Sequence, residues 1–513
     1  MKLQFVFLLC VSGIHSANIL MIQPFPSYNF FNLIFRLVKE LADRQHQVTF
    51  ISQFPNNDLE KNYEFIFVQE SFDQMKGFWK KLVDFKNKGT IERTLNDFDR
   101  GLKQTEAVLK NCEVQRLLNS ARHYDLVIVE HSFNEAAIGM GYHFNAPVVV
   151  LAPSGLNFRF YHLVGAPAPS SYVLDAFSVQ TQLDTFWDRL NNFIMSNFLE
   201  FLRTTMHLPK QNQLFQKYFK TEVDLDTIMY NVSLMLSNSH STVYNAVPYV
   251  PAVINIGGYH VKSPNGLPEN LKNYLDNARN GVILFSMGSS MKSKDMDPKI
   301  HKLFINVFSK LKEDVVWKFE SDLENIPKNV KTFQWLPQQD VLAHPNVRAF
   351  ITHGGLSSLI EAVYFGVPVV GLPSFADQES NMAVAVTRGY GIRVDMKDIT
   401  EDNLYKALQE ILNEPKYKQN AIKMSKLMHD QPMKPIDSAI YWIEYIIRHR
   451  GAPYLRSPGL DLAWYQREMV DIIFFLMVVA AVLFITIFIV IRNLFQLVYK
   501  QKLIIVKKDK KRN

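Results

Sequence analysis

The sequence predicts two facing α/β halves, each built on a parallel sheet, followed by one apolar helix long enough to cross a membrane. Three observations predict this. Short runs rich in Val, Ile and Leu alternate with helical periods along both halves, as in doubly wound sheets covered on both faces. A turn-rich stretch, Ile256-Gly-Gly-Tyr-His260 followed by Ser263-Pro-Asn-Gly266, divides the chain near its middle. Near the C-terminus, Ile472 to Ile491 carries no charge.

The elements follow in order. Lys2 precedes an apolar run, Phe5 to Val11, with Ser16 and Ala17 after it, the pattern of a signal peptide over residues 1–17. A strand is expected at Asn18 to Ile22 and a helix through Phe35, Leu37, Val38 and Leu41. Further strands are expected at Gln47 to Ile51, Asp125 to Val129 and Pro147 to Leu151. This first half spans 18–255, and a linker is placed at 256–270. The second half, 271–435, repeats the style with strands at Gly281 to Phe285, Val315 to Phe319, Arg348 to Thr352 and Val367 to Gly371. Helices follow at 436–468, then a membrane helix at 470–491 and a basic tail at 492–513.

Twenty apolar residues rise about 30 Å as a helix, the thickness of a bilayer core. Trp464 and Tyr465 stand before the run and basic residues after it, which places the tail in the cytosol and the body in the lumen. Lys510 and Lys511, fourth and third from the end, resemble a dilysine retrieval signal for the endoplasmic reticulum. Asn231-Val-Ser233 is an N-glycosylation sequon that would face the same lumen.

Charge and cysteine content exclude other classes. The net charge is +7. The tail after Ile491, with Arg492, Lys500, Lys502, Lys507, Lys508, Lys510, Lys511 and Arg512 against Asp509, accounts for the whole excess. The body is near neutral, so no nucleic-acid partner is expected. Of the two cysteines, Cys10 lies in the leading stretch, leaving Cys112 with no intrachain partner.

The strongest chemical signal is Phe350-Ile-Thr-His-Gly-Gly355. A buried strand ends, two glycines allow a tight turn, and a helix follows from Leu356 to Phe365. Amides at a helix start, with the helix dipole, make an anion site. His353 stands at its mouth to donate to a phosphate, and Ser357 or Ser358 adds a hydroxyl. Glu361, one turn beyond Ser357, can accept from two ribose hydroxyls. Asp377 and Gln378, after Pro373-Ser-Phe-Ala, put an acid and an amide at another strand end, able to read sugar hydroxyls.

The ordered set His353, Gly355, Ser358, Glu361, Pro368, Pro373, Asp377 and Gln378 resembles the signature of the animal UDP-glycosyltransferases at every spacing. Trp335-Leu-Pro-Gln338 resembles the family's base-stacking Trp and neighbouring amide. Phe285-Ser286-Met-Gly288-Ser289 resembles its glycine-serine loop near the β-phosphate. Pro435 to His449 also looks like animal members, and the resemblance runs from about Asn18 to the tail. It implies a GT-B fold, with acceptor held by the first half and UDP-sugar by the second. It also implies inverting transfer with UDP-sugar as co-substrate and no metal or other cofactor. Sequence style resembles invertebrate members, which tend to use glucose, and glucuronate stays open.

The resemblance breaks at one point. Family members carry a Ser-His pair soon after the first strand, and the His is the general base. Here the stretch reads Pro24-Phe-Pro-Ser-Tyr-Asn29-Phe30-Phe31, and the family His falls on Phe30. The acid that orients that His is kept as Glu130. Three accounts stay open. Glu130, or His131 beside it, is the base. Alternatively the acceptor is acidic enough to need little help. In the third, transfer is lost and the chain is a non-catalytic UDP-sugar-binding partner. Phe72, Phe78, Trp79, Phe85, Phe158, Phe160, Tyr161, Phe186 and Trp187 are candidates to line a pocket for small lipophilic acceptors. Acceptor identity, the type of glycoside and homo- or hetero-oligomerisation are left open.

Overall fold

Thirteen strands among the described residues form two sheets, and every pair in both is parallel. The computed structural model describes residues 16–55, 62–70, 89–155, 158–175, 182–289, 291–374 and 377–509. The expected leader, the dilysine pair, Phe72, Phe78, Trp79 and Phe85 lie outside these, as does the Phe158 side chain.

The first half runs β1 (Asn18–Ile22), α1 (Tyr28–Asp43), β2 (Gln47–Ser52), β3 (Tyr63–Phe67), α2 (Thr90–Lys110), β4 (Leu126–Glu130), β5 (Val148–Ala152), α3 (Phe186–Leu202), β6 (Val232–Ser237) and β7 (Val253–Asn255). Its sheet order is β3-β2-β1-β4-β5-β6-β7. The second half runs β8 (Val282–Ser286), β9 (Asp314–Lys318), β10 (Val330–Phe333), α4 (Gln338–Leu342), β11 (Val347–Thr352), α5 (Leu356–Tyr364), β12 (Val369–Gly371), α6 (Gln378–Thr387) and β13 (Gly391–Arg393). Its order is β10-β9-β8-β11-β12-β13. The central strands are buried end to end because helices cover both faces, which is why they read as unbroken apolar runs. The eight strands predicted from the sequence match observed ones to within two residues, whereas β3, β6, β7, β10 and β13 were not expected.

Both sheets reverse direction at one place, between β1 and β4 and between β8 and β11. Such switch points leave a crevice at the carboxyl ends of the strands, where α/β proteins bind ligands. Each half therefore offers one crevice.

Two stretches at the expected boundaries are tied into the first half. The stretch placed as a linker is not loose. Ile256 and Tyr259 are buried in the first half's core, and Gly257 packs so closely on Ser239 that a Cβ would lie 2.5 Å from its backbone. The helix after the second half, α7 (Pro435–Arg448), returns to the first sheet. It buries Ala439, Ile440, Ile443 and Ile446 among Ile19, Met21, Leu37 and Leu41. Each such aliphatic side chain contributes about 1.5–3 kcal/mol on burial. Arg44 to Asp437 at 2.6 Å seals the edge of this contact.

A separate unit begins at Pro458. It contains α8 (Val470–Asp509), in which Val470–Lys502 is apolar and long enough to cross a membrane. The helix does not stop at Ile491 as expected. It carries Arg492, Lys500 and Lys502 on further turns, since nothing in 492–509 is a helix breaker.

Candidate active site between the two sheets

The second crevice is built by three strand ends. β8 delivers Ser286, whose Oγ accepts from Gly288 N at 3.3 Å. β11 delivers His353, and α5 starts beyond it. Gly288 has φ +80°, and a Cβ there would lie 2.6 Å from the His353 ring. A Cβ on Gly355 would lie 2.5 Å from His353 Nε2. The imidazole is thus bracketed by two glycines, and side chains at either would displace it. The left-handed turn falls at Gly354 (φ +82°), not at Gly355, which is the extended N-cap of α5.

Burial first, and the Lys318 ammonium second, push the His353 imidazole down to about 4. It is neutral at physiological pH. Thr352 Oγ1 accepts from Gly354 N and lies 3.4 Å from His353 Nδ1; with the hydroxyl donating to Nδ1, Nε2–H is the nitrogen free to donate. Gly355 offers no capping side chain at the start of α5, a place where helix amides can hold an anion, and Asp377 accepts from the first of them, Leu356 N.

Asp377 and Gln378 meet this helix from the β12 side. Asp377 Oδ2 accepts from Asn381 Nδ2 at 2.7 Å, and the same amide donates to Gly354 O at 3.1 Å, tying the acid to the glycine turn. Burial raises the Asp377 carboxyl, against hydrogen bonds from Asn381 and the Leu356 amide. Gln378 is buried, and its Oε1 accepts from Ser374 N at 2.8 Å, bracing the loop before it.

The carboxylate expected to accept from ribose hydroxyls is already engaged. Glu361 Oε2 accepts from Gln338 Nε2 at 2.6 Å and Oε1 from Gln339 Nε2 at 2.9 Å, with His260 Nε2 3.5 Å from Oε1. Gln338 also reaches Ser358 Oγ at 3.4 Å. Trp335 is 59% exposed, an open ring face beside these groups. Lys318, at the end of β9, donates to Gly288 O at 3.1 Å and stands 5.5 Å over the Trp335 ring. Ser289 lies half-buried beside Gly288. Sequence reasoning singled out neither Lys318 nor Gln339. Position signals both: Lys318 ends an apolar strand, and Gln339 follows Gln338 in the first turn of a helix.

The first crevice faces the second. Asn29 Nδ2 donates to Ser357 Oγ at 3.1 Å, and the Tyr28 ring meets Trp335 edge-on at 6.0 Å. The first turns of α1 and α5 therefore touch. The loop before α1 is held by buried amides: Gln23 Nε2 donates to Phe25 O and Ser27 O, and Gln53 to Gln23 O and Pro24 O. Ser27 caps α1 through the Phe30 amide. The Phe30 ring packs on Phe25 at 5.7 Å.

Glu130 ends β4 beneath this loop and is 1% exposed. Its Oε2 accepts from Phe25 N at 3.1 Å and its Oε1 from Ser132 Oγ at 2.5 Å. Burial pushes the carboxyl up to about 7 despite both hydrogen bonds. His131 points elsewhere. It is fully buried, edge-on to Phe160 at 4.7 Å, and burial pushes it down to about 4. Of the proposed pocket aromatics, Phe160 and Tyr161 are fully buried core, whereas Phe186 and Trp187 face outward. Asn231 is exposed, its Oδ1 accepting from Arg456 at 2.7 Å, and Ser233 is buried in β6.

A chain folded as two facing parallel sheets has known counterparts. Residues 32–509 match the family model described as UDP-glucoronosyl and UDP-glucosyl transferase. The chain belongs to this family. Over 91% of its length it is 35% identical to UDP-glycosyltransferase UGT5 of Dactylopius coccus, covering 90% of that protein. It is 30% identical to human UDP-glucuronosyltransferase 2B7 over 89% of its length and 90% of that protein's. Among solved structures, glycosyltransferase VinC in complex with dTDP superposes with a TM-score of 0.59 at 16% identity, covering 84% of this chain and all of VinC. The likeness fixes the GT-B fold. Transfer of a sugar from a UDP-sugar donor to an acceptor is the activity of the family.

Proposed function

We propose that the protein moves a hexose, glucose in preference to glucuronate, from its UDP-sugar to small lipophilic acceptors with inversion. The observation that carries this reading is the meeting of the two crevices at Asn29 and Ser357. It supports a donor held by the second half and reacting on the Glu130 side of the first. Uracil stacks on Trp335. Ribose hydroxyls displace Gln338 and Gln339 from Glu361. The diphosphate lies against His353 Nε2–H and the first amides of α5. Those neutral donors disperse the charge that grows on departing UDP, so no metal ion is needed. Asp377 and Gln378 face the hexose.

On the acceptor side, Phe30 stands where the family base would be, and Glu130 takes its task. A carboxyl near 7 is half ionised at neutral pH, the best compromise for a general base. Glu130 is sealed, but Ser132 is half-buried and hydrogen-bonded to it. The acceptor proton reaches Glu130 by way of the Ser132 hydroxyl. Accepting it frees the acceptor oxygen to attack the anomeric carbon while the bond to UDP breaks.

The body lies in the lumen of the endoplasmic reticulum, anchored by α8 with its basic end in the cytosol, and Asn231 carries a glycan there. Supporting this reading are the apolar length of the helix and the basic residues beyond it.

Microsomes carrying the protein, incubated with UDP-glucose or UDP-glucuronate and a panel of phenols and carboxylic acids, test the activity. Glycoside detected by mass spectrometry with matching UDP release, both lost in Asp377→Ala, is expected. UDP-sugar binding with no product from any acceptor would overturn the reading.

A further inference from the structure

The stretch that leads out of the first sheet carries a buried side chain that the proposed reaction does not use. Tyr259 N donates to Ile256 O and Val261 N to Gly258 O, both at 3.0 Å, so two successive turns fix His260. Ile256 and Tyr259 anchor these turns in the first half's core. The stretch then runs along the second crevice. A Cβ on Gly258 would meet Ile360 of α5 at 3.9 Å. Lys262 N donates to Gln339 Oε1 at 3.0 Å, and Asn265 N to Asp340 Oδ1 at 2.6 Å, both at the start of α4.

His260 is aimed at Glu361. It is 7% exposed, and neither ring nitrogen has a hydrogen-bond partner among the described residues. Leaving a buried donor unpaired is costly, so such an exception calls for a reason. The His260 Nε2 stands 3.5 Å from Glu361 Oε1, a short step beyond a good hydrogen bond. Other groups fill the carboxylate first. Gln339 Nε2 donates to the same oxygen at 2.9 Å, and Gln338 Nε2 to Oε2 at 2.6 Å. These amides sit at the ends of long, flexible side chains, which leave with little strain. The imidazole is short and enclosed between turns, so it stays. With ribose hydroxyls in place of the amides, His260 is the donor that remains beside Oε1. A carboxylate oxygen accepts more than one hydrogen bond, so Oε1 can take Nε2–H and a hydroxyl together.

We propose that His260 is a positioning residue of the donor site. With UDP-sugar bound, it donates from Nε2 to Glu361 Oε1 and holds the carboxylate so that it accepts from both ribose hydroxyls. The proposal rests on the reading of Glu361 as the ribose acceptor given above. It adds that a segment rooted in the first half's core completes the nucleotide site of the second. Preference for ribose over deoxyribose is then set by two residues from different halves, Glu361 as the contact and His260 as its support.

The test is binding of UDP and of 2′-deoxy-UDP to the full-length protein in detergent, measured by calorimetry. Thermal unfolding without nucleotide reports the fold of each variant. Wild-type protein is expected to hold UDP at least about tenfold more tightly, the effect of one hydrogen bond to a charged group. His260→Leu keeps similar bulk without a donor and is expected to lose most of that preference. His260→Gln, whose amide can take the place of Nε2–H, is expected to keep it. Glu361→Ala is expected to lose it, and is the control for the ribose reading itself. A wild type with no preference, or a Glu361→Ala variant that keeps it, would overturn the ribose reading and the inference together. Preference lost in Glu361→Ala but kept in His260→Leu would overturn the inference alone. So would a His260→Gln variant that loses preference as fully as His260→Leu, since the imidazole would then matter only for its shape.

Discussion

The two crevices use the same topology to opposite ends. In the second half the chemistry is contiguous: a strand, a glycine turn and a helix start bring His353, Ser357 and Glu361 together within one short segment. In the first half the corresponding place, the end of β1 beside β4, is assembled from distant pieces. Glu130 is gathered to Phe25 across 105 positions, and Gln53 closes the loop from the next strand. Local motifs survive as spacing. Assemblies made by the sheet do not. In the proposed function the contrast also separates duties: the donor crevice would bind through backbone and neutral donors, and the acceptor crevice would depend on one buried ionisable group.

The sharpest way to break the donor side is to fill its bracket. Gly288→Ala pushes a methyl into the His353 ring and strains a left-handed backbone, costing about 1–2 kcal/mol. Because about 1.4 kcal/mol is tenfold, KM for the UDP-sugar is expected to rise by roughly that factor, measured by steady-state kinetics. An unchanged KM would mean His353 does not contact the donor. Asn29→Ala removes the bridge between the crevices. A single neutral hydrogen bond is worth about 1 kcal/mol, so a rise in UDP-sugar KM of about fivefold is expected, with acceptor KM little altered. If acceptor KM moves instead, Asn29 belongs to the other crevice.

A smaller effect sharpens the account of Glu130. Its folded-state pKa is raised from 4.5 to about 7. Between those values the folded protein keeps a proton that the unfolded chain releases. Stability from this group therefore falls as pH rises from 4.5 through 7. Glu130→Gln is expected to flatten that slope by an amount on the order of 3 kcal/mol across the window, read from denaturation midpoints of the body. An identical slope in the variant would mean Glu130 is not sealed.

Much of this was legible in the sequence. Strand positions were, because buried parallel strands are unbroken apolar runs. The grouping of His353, Ser357 and Glu361 around the second crevice was, because their spacing is local. The return of α7 to the first sheet was not. Ile440, Ile443 and Ile446 announce an apolar face, and nothing near them says which sheet it covers. Ser132 and Gln53 escaped for a related reason, since an isolated hydroxyl or amide gains meaning only from the partner that the fold brings. The aromatic residues misled where composition stood in for position: Phe160 is core, and Trp187 is surface.

The central proposal is that the buried Glu130 carboxylate serves as the base. It is tested most directly by the pH dependence of kcat for the wild type and Glu130→Gln, with the sugar and acceptor found to give product. The account predicts that wild-type kcat rises with pH through a midpoint near 7, the value to which burial pushes Glu130. It predicts that Glu130→Gln loses about 10²–10⁴-fold in kcat, loses that rising limb, and keeps its affinity for the UDP-sugar. A variant that turns over at the wild-type rate with the same pH profile would contradict it.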